Sequence, residues 1–167
     1  MLSLEQLGKI QAFKGLTEDQ MLKLQPHCVQ LEFPKGTKLF TEGDPAEDLW
    51  VVVEGSVKLR FELPDKYSPL DEHTVSSGKV VKDDQVAQTF GWSCFVPPFK
   101  MRLSAFCVAD KTKIVKVAKS DLIREFKNDP QMGYTFLNYI ITVVGYRFGQ
   151  FRDEIARIKG DLILAGW

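Results

Sequence analysis

The sequence predicts a mainly β domain of the barrel or sandwich class, with helices before it and one long helix after it. Three observations predict it: short runs of period-two alternation between Cys28 and Ala118, glycine turns that separate those runs, and a three-to-four-residue apolar period on either side of them. At 167 residues the chain suits one domain with a sizeable core. Its 44% hydrophobic and 26% charged residues are an ordinary globular composition.

Leu4, Leu7, Ile10 and Phe13 stand three residues apart, which predicts an amphipathic first helix over residues 3–13. Thr17-Glu18-Asp19-Gln20 reads as a capping box for a short second helix that stops near Pro26. From Cys28 the period changes to two. Val29, Leu31 and Phe33 alternate with polar residues up to the turn Pro34-Lys35-Gly36. Thr37 to Phe40 is the next strand, ended by Glu42-Gly43-Asp44-Pro45. Leu49 to Val53 is almost wholly apolar, as expected of a strand covered on both faces, and Glu54-Gly55 turns it into the alternating run Ser56 to Phe61. Residues 64–85, broken by Pro64, Pro69 and Ser76-Ser77-Gly78 and rich in charge, are expected to form a solvent-facing hairpin with a loose tip. Strand character returns at Leu103 to Val108 and at Lys113 to Ala118.

Ser120 is a candidate N-cap for a helix over 121–127. Asp129-Pro130 starts the last helix, with Asp as cap and Pro at the first helical position, and Gly160 is expected to end it near Lys159. The barrel is thus placed at 28–118, the C-terminal helices at 119–159 and a tail at 161–167. On the last helix Leu137, Ile141, Val144, Phe148, Phe151, Ile155 and Ile158 follow steps of four and three, a heptad seam. Phe136, Ile140 and Val143 form a second strip beside its first half. That half is expected to pack on the barrel, leaving the later half in need of a partner. A helix of roughly 30 residues, about 45 Å long, exceeds what a barrel of this size covers. A twofold helix–helix homodimer is therefore favoured over burial on the same domain.

Lys plus Arg and Asp plus Glu balance at 22 each, which argues against a nucleic-acid-binding surface. No basic, then apolar, leader opens the chain, and the apolar run Tyr139 to Val144 is too short to span a bilayer. Cys28, Cys94 and Cys107 lack metal-site spacing and are expected to be reduced, buried thiols of a cytoplasmic protein. His27 and His73 form no ligand pair, and no nucleophile is placed beside a base, so neither a metal nor an enzyme activity is expected.

Two stretches, Phe33-Pro34-Lys35-Gly36-Thr37-Lys38-Leu39-Phe40-Thr41-Glu42-Gly43-Asp44 and Leu49-Trp50-Val51-Val52-Val53-Glu54-Gly55-Ser56-Val57-Lys58-Leu59, resemble the opening half of cyclic-nucleotide-binding domains. Gly36, Gly43 and Gly55 fall at the turns that such a barrel uses, and the resemblance resumes at Phe90-Gly91. It implies a double-stranded β-helix (jelly-roll) barrel with N-terminal helices and a long C-terminal helix. It also implies a phosphate-binding cassette, in which a short helix after a Phe-Gly-Glu element and an Arg from the next strand hold a cyclic phosphate. The matching residues are Gly91, Trp92, Ser93, Arg102, Leu103 and Ser104. Two departures stand out. Trp92 replaces the Glu that accepts from the ribose, and Leu103 displaces the Ser-Ala pair after Arg102 by one residue, a shift that reverses the faces of a strand.

The resemblance implies a ligand-sensing regulatory module for a cyclic nucleotide or another small anion, which signals through its last helix to a protein partner. Its rivals are a sealed, degenerate domain used as a dimeric scaffold and the sensor part of a transcription regulator. The residues after Gly160 are too few for a helix-turn-helix domain, so direct DNA binding is not expected.

Overall fold

The computed structural model describes residues 2–62, 74–75 and 88–165 of the chain. Helix α1 (Leu4–Gly8) is capped by Ser3, whose hydroxyl accepts from Gln6 N–H while the Gln6 side chain accepts from Ser3 N–H. The single helix expected over 3–13 is broken. Gly8, a poor helix former, ends α1; Ile10 is extended, and a 3-10 turn carries Gln11–Phe13. The break lets Leu7, Ile10 and Phe13 all reach the core. Helix α2 (Glu18–Leu24) begins with the capping box read from Thr17 and Gln20, at 3.2 and 3.0 Å.

The described strands form two antiparallel four-stranded sheets, the jelly-roll arrangement. One has the order β1 (Val29–Pro34), β8 (Lys111–Ala118), β3 (Asp48–Glu54), β6 (Thr89–Phe90). The other has the order β2 (Lys38–Phe40), β7 (Ser104–Cys107), β4 (Val57–Arg60), β5 (Thr74–Val75). The sheets face each other, with Phe40 of β2 lying 5.8 Å from Trp50 of β3 and 6.0 Å from Phe90 of β6, ring to ring. Leu49, Trp50, Val51 and Val52 are all buried, so β3 is covered on both faces as its composition requires. Edge strand β1 is less regular than its alternation suggests, since Leu31 and Phe33 are half-buried but Val29 is exposed. The hairpin expected over 64–85 lies outside the described residues, apart from Thr74 and Val75, which pair with Arg60 and Leu59.

Gly55, between β3 and β4, has φ +83°, and a Cβ there would run into the Lys111 carbonyl and within 2.9 Å of Thr112 Cα. The turn is thus built against backbone, where only glycine fits.

Helix α3 (Lys119–Asn128) is capped at Ala118 without any side-chain hydrogen bond, and Ser120 lies inside it as its second residue. The pairing of β8 runs on to Ala118 and fixes that start. At the next joint Asp129 Oδ1 accepts from Met132 N–H at 3.0 Å and Oδ2 from Gln20 Nε2 at 2.9 Å, opening α4 (Pro130–Ala165) and tying it to α2. Gly133 lets α4 cross α3 closely, since a Cβ there would stand 2.9 Å from Phe126 Cβ. Helix α4 continues through Gly160 to Ala165, so residues 161–165 are helix and not the tail expected from that glycine.

Phe136, Ile140 and Val143 are buried, as the strip beside the seam requires. In the seam itself, Val144 packs against the domain's own core, whereas Leu137, Ile141, Phe148 and Ile155 are exposed; the Phe151 side chain lies outside the described ones. Described residues from Arg152 onward are almost all exposed, and Gly145 and Gly149 have nothing near them.

Two outcomes follow. Gly55→Ala forces a side chain into backbone at positive φ and should cost about 2–3 kcal/mol, read as a melting point lowered by roughly 5–10 °C. At Asp129 the hydrogen bond from Gln20, then that from the Met132 amide, holds the carboxyl below its ordinary range. A depressed folded-state value means stability that is present above the unfolded-state value near ~4 and lost as pH falls through the folded one. Asp129→Asn should therefore melt below the wild type at neutral pH, with the gap closing as the pH is taken down through the carboxylate range.

Candidate ligand-binding site

Strand β6 ends at Phe90, and the chain leaves it through Gly91 in the left-handed region (φ +74°, ψ +11°). Glycine is required there twice over, because a Cβ would come within 2.6 Å of Trp50 Cδ1 and 3.0 Å of the Asp48 carbonyl. Gly91 caps a single 3-10 turn, Trp92–Phe95, where Cys94 N–H donates to Gly91 O and Val96 N–H to Ser93 O. The Pro97–Pro98 peptide is cis and Phe99 has φ +57°. The loop then docks on the β2–β3 turn through Gly43 N–H to Met101 O, Met101 N–H to Asp44 O and Ala46 N–H to Phe99 O, at 2.8–2.9 Å. The Lys119 ammonium sits 3.6 Å from the Phe99 ring centroid.

The residues expected to hold a ligand divide between two sides. Trp92 and Leu103 are half-buried and pack against the core, and Ser93 is buried. Arg102 is exposed, and its guanidinium donates to Pro97 O at 3.2 Å. Ser104 is buried with its hydroxyl accepting from Glu42 N–H at 2.8 Å.

Strand register explains the position of Ser104. On β7, Ala105 and Cys107 pair with Leu59 and Val57, all buried between the sheets. Ser104 and Phe106 pair with Arg60 and Lys58 on the opposite face, where the Arg60 guanidinium lies 4.0 Å from the Phe106 ring centroid and Lys38 5.2 Å from it. Just before β7 the chain bends at Arg102 and Leu103, where Leu103 packs against the core and Arg102 is exposed.

Sequence reasoning missed several residues that the fold places beside this turn. Trp50, the lone aromatic in an aliphatic strand, stacks on Phe90 at 6.1 Å, and the Lys116 ammonium stands 5.4 Å from its ring centroid while paired with Asp48 at 3.1 Å. Phe95 meets Phe136 of α4 edge-on at 6.4 Å, and Thr89 Oγ1 shares a 2.8 Å hydrogen bond with Tyr139 Oη of the same helix. Fifty residues separate that hydrogen-bonded pair, and no local pattern announces it. The three cysteines are buried and free, and burial pushes the Cys28 and Cys94 thiols up to about 12, which leaves them protonated and unreactive. No helix among the described residues is long and apolar enough to cross a membrane.

No protein-family model matches the chain. Over 61 residues it is 30% identical to a CRP-like cAMP-activated global transcriptional regulator of Mycobacterium tuberculosis, a match that covers 36% of this chain and 27% of that protein. Among solved structures it is similar to a cyclic nucleotide-binding domain from Methylobacillus flagellatus KT, with a TM-score of 0.69 and 21% identity over 92% of this chain and 80% of that one. The sensor domain of the transcriptional regulator DNR from Pseudomonas aeruginosa gives 0.63 and 16% over 87% and 90%. The regulatory domain of Toxoplasma gondii PKA, solved with cAMP, gives 0.63 and 13% over 86% and 49%. By its paired sheets, the turn after β6 and the helices around them, the chain has the fold of the cyclic nucleotide-binding domains.

Proposed function

We propose that the chain is a non-enzymatic, cytoplasmic regulatory module that senses a small molecule between the barrel and the Gly91–Met101 segment and passes its state to α4. The observation that carries this reading is that both that segment and the strand it leaves, β6, touch the helix. Phe95 touches Phe136 and Thr89 bonds Tyr139, so a ligand that shifts the turn must act on α4. Such a shift requires different ligand affinities for two arrangements of the helix. The similar structures described as regulatory and sensor domains support the same assignment.

Output runs through the exposed face of α4. Leu137, Ile141, Phe148 and Ile155 share one side of the helix, and Ile141 and Phe148 are 68% and 69% exposed. A second copy of the chain covers such a stripe in a twofold pair, and a protein partner reads the resulting arrangement.

A competing reading, a sealed scaffold, is favoured by the packing of Trp92 and Leu103 against the core. Thermal melting of the full chain against cyclic AMP, cyclic GMP, cyclic dinucleotides and neutral aromatic heterocycles separates the two. A ligand at a hundred times its dissociation constant adds about 2.7 kcal/mol, a rise of roughly 5–10 °C. A shift with any member supports sensing; a flat response across the panel leaves the scaffold. The dimer is tested by light scattering of Ile141→Asp/Phe148→Asp, expected to fall from twice the chain mass to once, with the far-ultraviolet spectrum of the barrel unchanged. Wild type at a single chain mass at micromolar concentration would remove the dimer from this proposal.

A further inference from the structure

Polar bonds tie helix α4 to the rest of the domain at its start and again ten residues on. At the start the Asp129 carboxyl accepts from Gln20 Nε2 and from Met132 N–H, and Gly133 lets the helix press against Phe126. Further along, Tyr139 Oη and Thr89 Oγ1 share a hydrogen bond of 2.8 Å. Strand alternation aims the threonine. Phe90 stacks on Trp50 between the sheets, so Thr89, the residue before it, faces the other way, and its cross-strand partner Val51 is buried on that same face. Thr89 has no exposed surface at all. Burial holds the Tyr139 phenol above its ordinary range, so it keeps its proton at neutral pH and can donate.

The packing around that bond does not by itself fix the helix. Phe136, Ile140 and Val143 of α4 are buried apolar side chains, and apolar contact is non-directional, so more than one tilt satisfies it. A hydrogen bond between two hydroxyls is directional and weakens steeply when misaligned. A buried hydroxyl left without its partner is costly, which disfavours intermediate positions of the helix. The length of α4 magnifies whatever the bond permits. From a pivot at Asp129 the helix carries Tyr139 about 15 Å and Phe148 about 28 Å along its axis, so a displacement at Tyr139 is roughly doubled at the exposed stripe.

We infer that Tyr139 is a positioning residue, the latch that holds α4 in one tilt against β6 through its hydrogen bond to Thr89. Apolar packing attaches the helix; the hydroxyl pair selects where it rests. The inference rests on the sensing reading above for its purpose, since Thr89 stands two residues before Gly91 and links that turn to the helix.

The test compares the full chain with Tyr139→Phe, Thr89→Val and the two combined, each labelled at isoleucine and valine methyl groups. Ile140 and Val143 report on α4, Val52 and Ile114 on the barrel. Tyr139→Phe strands the buried Thr89 hydroxyl and should lower the melting temperature by about 3–8 °C. The double variant is apolar on both sides and should melt within about 2 °C of the wild type. Its Ile140 and Val143 signals should nonetheless broaden through microsecond-to-millisecond exchange, while those of Val52 and Ile114 stay sharp. Recovered stability with a loosened helix separates a latch from a bond that only stabilises. Sharp Ile140 and Val143 signals in the double variant would overturn the inference, as would broadening that spreads to Val52 and Ile114. A double variant that stays as unstable as Tyr139→Phe would overturn it too. Should a single variant fail to fold, the double variant still decides. No ligand is used, so failure here leaves the sensing reading to the melting panel above.

Discussion

Four segments of the chain meet on the ring of Phe136. Phe126 of α3 lies 5.1 Å from it, Phe13 of the N-terminal turn 6.2 Å and Phe95 of the segment after β6 6.4 Å, centroid to centroid, while Phe136 itself belongs to α4. Each aromatic contact is worth about 0.5–1.5 kcal/mol beyond the area it buries, but their placement matters more than their sum. Interiors are close-packed and deform in discrete steps, so none of the four segments can change position without the others repacking. The Gly133–Phe126 approach tightens the same junction, and Asp129 pins it to α2. The N-terminal helices therefore belong to the same packed junction as α3 and α4.

The barrel presents a different balance. Its outer face carries charge in pairs, such as Lys111 with Glu32 and Lys113 with Glu54, while most of the buried residues between the sheets are apolar. Exposed pairs of this kind contribute little to stability. Arg102, which donates to Pro97 O, is exposed, while its neighbour Leu103 packs against the core.

Much of this was legible from residues whose role is local. The Thr17–Gln20 box, the glycine turn at Gly55 and the Asp129-Pro130 start each depend on near neighbours and each formed as read, and the run Leu49–Val53 is covered on both faces except at Val53, which is exposed. The misreadings arose where distant contacts overrode the local pattern. Ile10 leaves the helical path so that Phe13 can reach Phe136, and α3 starts at Lys119 because β8 pairs as far as Ala118. Gly160 fails to stop α4 because a helix-interior glycine costs only about 1 kcal/mol and no turn follows to compete. The direction of Arg102 was out of reach as well, because it lies in a bend before β7 and donates to Pro97 O.

Helix α4 outlasts the domain that supports it. Beyond Gln150 its described side chains find almost no cover, and Gly145 and Gly149 weaken the stretch just before. Fifteen residues of helix, left alone in water, are near the margin at which helices persist. Covered by a neighbour, this far segment would hold its helix; left bare, it would fray. Its fraying is an occupancy gauge: amide protection there reports whether the stripe is covered, independently of the state of the barrel.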